Sequence, residues 1–106
     1  MVATRNDGAG SDSAAAELDR IRTDMDVLDG RLIELIAERL QLARVAEGVK
    51  RRAGLPVLDP AREALVVRRA ATLAREAGVP EEEARSIFWQ LVGLCRREQI
   101  AGHREQ

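Results

Sequence analysis

A cation interrupts the longest apolar pattern of the sequence. Apolar side chains recur at alternating steps of three and four residues from Leu18 to Val49. Arg39 occupies the position that should continue this stripe between Leu35 and Leu42. Such a stripe is typical of one long helix with a buried apolar face, where a cation is costly unless an anion meets it. We therefore expect Arg39 to face either a protein carboxylate or an anionic ligand.

A second cation, Lys50, lies on the same face of this predicted helix. At 100° per residue, the eleven steps from Arg39 to Lys50 end about 20° from their starting direction and span roughly 16 Å. The small residues Ala43 and Ala46 lie between the two cations and leave room for a ligand. This spacing suits one small anion held between two long cationic side chains.

Arg22 is not expected to reach that ligand within its own chain. It precedes Arg39 on the same predicted helix by ~25 Å along the axis and about 100° around it. In an antiparallel dimer, however, the early part of one long helix passes the later part of its partner. Arg22 of one subunit could then reach the site of the other.

Two more groups of polar side chains accompany the cations. Asp59, Arg62 and Glu63 stand in the first turn of a second predicted helix, which a short connection folds back towards the end of the first. Cys95 and Gln99 are four residues apart and therefore face the same way on a third helix.

Each of these residues also has a plainer interpretation. An isolated helical arginine or lysine usually carries its charge into water, Asp59 suits a helix cap, and Cys95 suits a small buried apolar position. Eight further helical arginines are expected to be surface charge: Arg44, Arg51, Arg52, Arg68, Arg69, Arg75, Arg96 and Arg97.

The elements that must position these residues are three helices, so the predicted fold class is all-α. Helix 1 should run from about Ala14 to about Ala53 and end at Gly54, a residue suited to a left-handed cap. Asp59-Pro60 is a typical helix start, and helix 2 should continue to Gly78. Helix 3 should start at Pro80, before three glutamates, and end near residue 100.

We expect one folded domain over residues 14–101, with a flexible tail at 1–13 and a polar tail at 102–106. Helix 1 is about twice as long as either of the others, so a lone chain would leave part of its apolar stripe in water. A second long helix would cover that stripe. An intertwined homodimer with paired long helices is therefore predicted.

The composition argues against several classes of protein. The chain has 106 residues with 17 basic and 18 acidic side chains, without the basic excess that nucleic-acid binders usually show. A single cysteine excludes an intrachain disulfide, and no apolar run approaches membrane-spanning length. No metal or cofactor motif is found. We expect a cytoplasmic protein without cofactor, metal, nucleic acid or membrane partner.

The joint order of these motifs resembles the all-helical chorismate mutases. The resemblance covers residues 17–100 and is carried by Arg22, LDGRL at 28–32, AER at 37–39, Lys50, D-x-x-R-E at 59–63 and Gln99. It implies intertwined homodimers of three-helix chains, in which each of two active sites uses an arginine from the partner subunit. The implied reaction is the Claisen-type rearrangement of chorismate to prephenate in tyrosine and phenylalanine biosynthesis, without metal, proton transfer or covalent intermediate.

The resemblance also implies a role for each site residue. Arg39 and the partner subunit's Arg22 would clamp the two carboxylates of chorismate, and Lys50 and Gln99 would donate to its ether oxygen. Glu63 would accept a hydrogen bond from the ring hydroxyl. Arg62 and the backbone at Asp59 would line that end of the site. Cys95 takes a position where the family often has a serine that helps to hold a carboxylate.

Three alternatives remain open at the level of sequence. Two relatives with this scaffold rearrange 4-amino-4-deoxychorismate or eliminate pyruvate from isochorismate. Glu63 and Gln99 favour chorismate, whereas Cys95 keeps the amino analogue under consideration. The third alternative is a non-catalytic helical dimerisation or regulatory module, which would require a protein carboxylate to pair with Arg39. The sequence does not identify a partner enzyme from the shikimate pathway.

Overall fold

The computed structural model describes the backbone of residues 2–104 and the side chains of residues 10–103. It contains helices α1 (Val2–Ala53), α2 (Pro60–Ala77) and α3 (Glu81–Arg104). Within the described range there is no strand, so the predicted all-α class is confirmed. The described part of the chain forms two compact units, one up to Leu35 and the other from Ile36 onward.

Helix α1 begins earlier than predicted, at Val2 instead of about Ala14. The prediction took residues 1–13 as a flexible tail because they are small, polar and glycine-containing. A glycine costs only about 1 kcal/mol relative to alanine in a helix, however, and the alanines that follow favour the helical state. The flexibility assigned to residues 1–13 stays a prediction.

The end of α1 matches its sequence signal. Gly54 adopts a left-handed conformation, with φ of 67°. The amide of Leu55 donates to the carbonyl of Lys50 at 2.8 Å, and the amide of Gly54 donates to Arg51 at 3.3 Å. This pattern is a Schellman cap, which satisfies carbonyls that the helix leaves free and turns the chain sharply. The turn brings the connection at residues 54–59 back beside Lys50.

Helix α2 has both predicted caps. The carboxylate of Asp59 accepts a hydrogen bond from the amide of Arg62 at 3.1 Å, and Pro60 takes the first helical position. Gly78 ends the helix with φ of 76°. These caps fix where α2 starts, and therefore which of its residues face the connection.

The core of the second unit is built from small side chains. The buried apolar residues of α2 are three alanines and a valine, and those of α3 are an alanine, a valine and a cysteine, which lets these two helices pack closely. The buried apolar residues are Ala43, Val67, Ala70, Ala71, Ala74, Ala84, Val92 and Cys95. Among the described residues, no large side chain is fully buried within the single chain.

Helix α3 continues to Arg104, beyond the predicted end near Ile100, so part of the expected polar tail is helical. Glu47 of α1 is 5% exposed, and its carboxylate accepts from Arg51 at 2.9 Å. His103 Nδ1 lies 3.7 Å from the same carboxylate. This contact between distant parts of the sequence gives the last turn of α3 a packing partner that local sequence patterns do not reveal.

The apolar stripe of α1 is largely exposed in the single chain. In the first unit its side chains are between 43% and 60% exposed: Leu18, Ile21, Met25, Leu28, Leu32 and Leu35. In the second unit Leu42 and Val49 are also exposed. None of the helices in the described range combines the length and the apolar character needed to cross a membrane.

Candidate active site

The second unit contains a cavity of about 570 Å³. Residues from α1, α2, α3 and the connection between α1 and α2 form its wall. They are Arg39, Leu42, Ala43, Ala46, Lys50, Val57, Asp59, Arg62, Glu63, Val66, Val92, Cys95, Arg96 and Gln99. The structure thus brings together every candidate residue named from the sequence except Arg22.

Arg39 lines this cavity, and no side chain in the described range offers it an anionic partner. Its side chain is part-buried, and its Nη1 atom donates to the sulfur of Cys95 at 3.0 Å. Among the side chains described, no carboxylate oxygen lies within 4.0 Å of the Arg39 guanidinium. Of the two arrangements expected for Arg39, the structure therefore has the one that leaves its charge available to a ligand.

Lys50 is held by neutral acceptors. Its Nζ atom donates to the carbonyl of Val57 at 2.9 Å and to Oε1 of Gln99 at 3.4 Å. An ammonium group has three donors, so one remains for a ligand. The Schellman cap matters here, because it returns Val57 to the side chain of Lys50.

Gln99 is oriented by contacts at both ends of its amide. Its Nε2 atom donates to the carbonyl of Ala43 at 3.0 Å, while its Oε1 atom accepts from Lys50. The amide nitrogen carries two hydrogens, so one of them stays free to donate to a ligand. Lys50 and Gln99 therefore form a donor pair with fixed relative positions.

Glu63 is paired with Arg96, which the sequence analysis wrongly placed among the surface charges. Arg96 Nη2 donates to Glu63 Oε1 at 2.8 Å, and Arg96 Nε donates to Oε2 at 3.0 Å. The hydrogen bonds to Glu63, together with its charge, raise the pKa of Arg96 above its usual value. A sequence signal was available, since Arg96 is three residues before Gln99 and thus on a neighbouring face of α3.

Asp59 and Arg62 line the cavity, and both are exposed. The carboxylate of Asp59 is engaged as the cap of α2. Among the described side chains, no carboxylate is within salt-bridge distance of Arg62. Arg62 is therefore available to a ligand at this end of the cavity.

The charge of the wall indicates the kind of ligand. Four cationic and two anionic side chains line the cavity, which leaves a formal excess of two positive charges. The remaining wall is mostly alanine, valine and leucine. Such a site suits a small molecule with two negative charges on an apolar body. No group of three or more His, Cys, Asp or Glu side chains in the described range is arranged for a metal ion.

Arg22 lies in the first unit, where its Nη1 atom is 4.0 Å from a carboxylate oxygen of Asp19. Its side chain is 64% exposed. The residues that line the cavity all belong to the second unit. Its participation through a second subunit stays a prediction.

Similarity to one known family covers most of the chain. The family described as chorismate mutase type II matches residues 21–100. The 4-amino-4-deoxychorismate mutase of Streptomyces venezuelae is 33% identical over 90 residues, covering 84% of this chain and 87% of that protein. The chorismate mutase of Methanocaldococcus jannaschii is 36% identical over 76 residues, covering 72% of this chain and 77% of that protein.

A longer protein also matches in part. The bifunctional chorismate mutase/prephenate dehydratase of Aquifex aeolicus is 30% identical over 82 residues, which cover 74% of this chain and 23% of that protein.

Proposed function

This chain belongs to the chorismate mutase type II family and is an isomerase, and we propose that its reaction is the rearrangement of chorismate to prephenate. Chorismate is a dianion with an enol-ether oxygen. It must adopt a compact diaxial conformer, and negative charge grows on the ether oxygen as the C–O bond breaks and the new C–C bond forms. The site must therefore hold two carboxylates and stabilise one developing charge.

Arg39 binds one carboxylate of the substrate in this proposal. A guanidinium offers a planar pair of donors that matches a carboxylate, and none of the described side chains supplies a carboxylate to Arg39. The partner subunit's Arg22 supplies the second clamp. Holding both carboxylates restricts the substrate to the compact conformer, which lowers the entropic part of the barrier.

Lys50 and Gln99 donate to the ether oxygen. Their free hydrogens belong to groups already held at 2.9 Å from Val57 and 3.0 Å from Ala43, so little reorganisation is needed. Charge on that oxygen is greatest in the transition state, and the two donors therefore stabilise it more than the bound substrate. A millionfold acceleration requires about 8 kcal/mol, which positioning and preorganised donors together can supply.

Glu63 accepts a hydrogen bond from the ring hydroxyl. The carboxylate has about four acceptor positions, and the fork of Arg96 leaves some of them open. Arg62 and the backbone at Asp59 lie at this end of the cavity. The substrate would thus lie with its ring hydroxyl towards α2 and its ether oxygen towards Lys50.

A homodimer completes the site. The apolar stripe of α1 is about half exposed in one chain, and a second copy of the same helix would cover it. In that arrangement the exposed guanidinium of Arg22 enters the cavity of the other subunit. Each dimer then has two equivalent sites.

The observation that carries this proposal is the pair formed by Arg39 and Lys50. Both cations line one cavity, and among residues 10–103 their hydrogen-bond acceptors are all neutral. The competing interpretation as a non-catalytic dimerisation module required a protein carboxylate for Arg39, which the described residues do not provide.

The test is turnover by the purified chain. The ultraviolet absorbance of chorismate should disappear, and acid treatment of the product should give phenylpyruvate. A folded protein that leaves chorismate unchanged would overturn the proposal.

A second candidate substrate is 4-amino-4-deoxychorismate, and similarity to the Streptomyces venezuelae mutase favours it. The same carboxylate clamp and ether-oxygen donors would serve it, since the two substrates differ only in the ring substituent. Initial rates on chorismate, 4-amino-4-deoxychorismate and isochorismate, measured side by side, decide between them. A kcat/KM much higher on the amino compound than on chorismate would establish this second candidate.

A further inference from the structure

We propose that Arg96 determines which ring substituent the site accepts, by favouring a neutral hydroxyl over a cationic ammonium group opposite Glu63. This inference rests on the proposed function, in which Glu63 meets the ring substituent. Arg96 acts through Glu63, so it is a positioning and specificity-determining residue and not a group that bonds to the reacting atoms.

The geometry of the pair supports this role. Arg96 holds both oxygens of Glu63, with the shortest contact at 2.8 Å from Nη2 to Oε1. The two side chains come from different helices and are only 34% and 20% exposed. Because the fork fixes the plane of the carboxylate, its remaining lone pairs point in defined directions. A hydroxyl, which donates one hydrogen, can use one of them without disturbing the pair.

The charge of the pair determines its selectivity. An unpaired carboxylate would attract an ammonium group more strongly than a hydroxyl. Arg96 cancels that attraction, since its guanidinium and the carboxylate together carry no net charge. An aliphatic amine is largely protonated at neutral pH, so the amino analogue would bring a cation to this position.

The other charged groups of the cavity act in the same direction. Arg62 and Lys50 are cations, and Arg39 is a third. Besides Glu63, the only carboxylate in the wall is that of Asp59, which already accepts from the backbone of α2. An ammonium group beside Glu63 would therefore face a carboxylate whose charge Arg96 already balances, with no free carboxylate in the described wall to attract it.

The experiment compares kcat/KM for chorismate and 4-amino-4-deoxychorismate in wild type, Arg96→Gln and Arg96→Lys. Arg97→Gln is the matched control, because Arg97 is the next residue of α3, is exposed and does not line the cavity. Arg96→Gln should lower the ratio of chorismate to amino-substrate kcat/KM by about tenfold, or about 1.4 kcal/mol. Arg97→Gln should leave the ratio unchanged, and Arg96→Lys, which keeps the charge, should restore most of it.

A purely structural role predicts a different result. If Arg96 only supported the fold, Arg96→Gln would lower both kcat/KM values by the same factor and leave their ratio unchanged. That result would overturn the inference. Failure of the proposed function is separate, because it would appear as a wild type that does not convert chorismate.

The wild-type protein provides a test that does not depend on a variant folding. As pH rises through the pKa of the substrate amine, the ammonium loses its charge. The ratio of kcat/KM for the amino compound to kcat/KM for chorismate, both measured at the same pH, should then rise. A flat ratio, or one that falls as the amine becomes neutral, would contradict the inference.

Discussion

The cationic side chains discussed above are of two kinds. Some are paired with a carboxylate of the protein, and others donate only to neutral acceptors among the described residues. Glu63 neutralises Arg96, and Glu47 neutralises Arg51. Arg39 and Lys50 instead donate to a thiol, a carbonyl and an amide oxygen. Neutral acceptors orient a cation without cancelling its charge, so these two groups keep most of their attraction for an anion.

Lys50→Ala should reduce kcat by about 10² to 10³, because it removes one donor to an oxygen whose charge develops in the transition state. Protein fold and association should be unaffected, as judged by circular dichroism and sedimentation. Arg52→Ala is the control, since Arg52 is exposed near the same end of α1. A near-normal kcat in Lys50→Ala would remove this residue from the mechanism.

At this scale the sequence predicted most of the cavity wall but not its internal pairing. Helix geometry indicated Arg39 and Lys50 together, and the family resemblance added Glu63 and Gln99. Arg96 was missed because its partner is 33 residues away in the chain. Helix packing determines which of two adjacent faces of a helix contacts another helix. The charged ends of arginines on helices usually lie in solvent, so the sequence favoured a surface position for Arg96.

At the scale of the helices, some ends are determined by neighbouring residues and others by contacts with residues distant in the sequence. The end of α1 and both ends of α2 were predicted correctly, because their caps depend on a few neighbouring residues such as Gly54 and Asp59. The start of α1 and the end of α3 were not. Neither of these helix ends is marked by a strong local capping signal. The last turn of α3 instead packs near Glu47.

Asp59→Ala should lower the free energy of unfolding by about 0.5–2 kcal/mol, since it removes the side-chain acceptor at the start of α2. Urea denaturation at one fixed protein concentration measures this change. Asp59→Asn is the matched control, because asparagine caps helices about as well as aspartate. Equal losses in both variants would show that the charge of Asp59, and not its cap, stabilises the helix.

At the scale of the whole molecule, the proposed site depends on a second chain. The core of the second unit consists of small side chains, while larger apolar residues along α1 remain exposed. The dimer predicted from the length of this stripe would bury them, and it would bring the partner subunit's Arg22 to the cavity. The sequence of one chain contains the apolar stripe that predicts a dimer, but it does not specify how the two subunits are arranged.

Subunit mixing tests the shared site. Arg22→Ala and Arg39→Ala should each be nearly inactive alone. After subunit exchange, each heterodimer should contain one intact site and one site that lacks both arginines. Half of the sites in the heterodimers should therefore be functional. Mixing two preparations of the same variant is the control. If exchange is verified and no activity returns, each chain must build its site alone.

The most direct measurement is kcat/KM on chorismate for Arg39→Gln against wild type. Arg44→Gln is the matched control, since Arg44 lies on the same helix but pairs with Glu98 at 3.2 Å outside the cavity wall. Loss of a carboxylate clamp should reduce kcat/KM by at least about 100-fold, or about 2.7 kcal/mol, in Arg39→Gln. Arg44→Gln should remain near wild type. Equal turnover by all three proteins would contradict the claim that Arg39 is matched by a dianionic substrate.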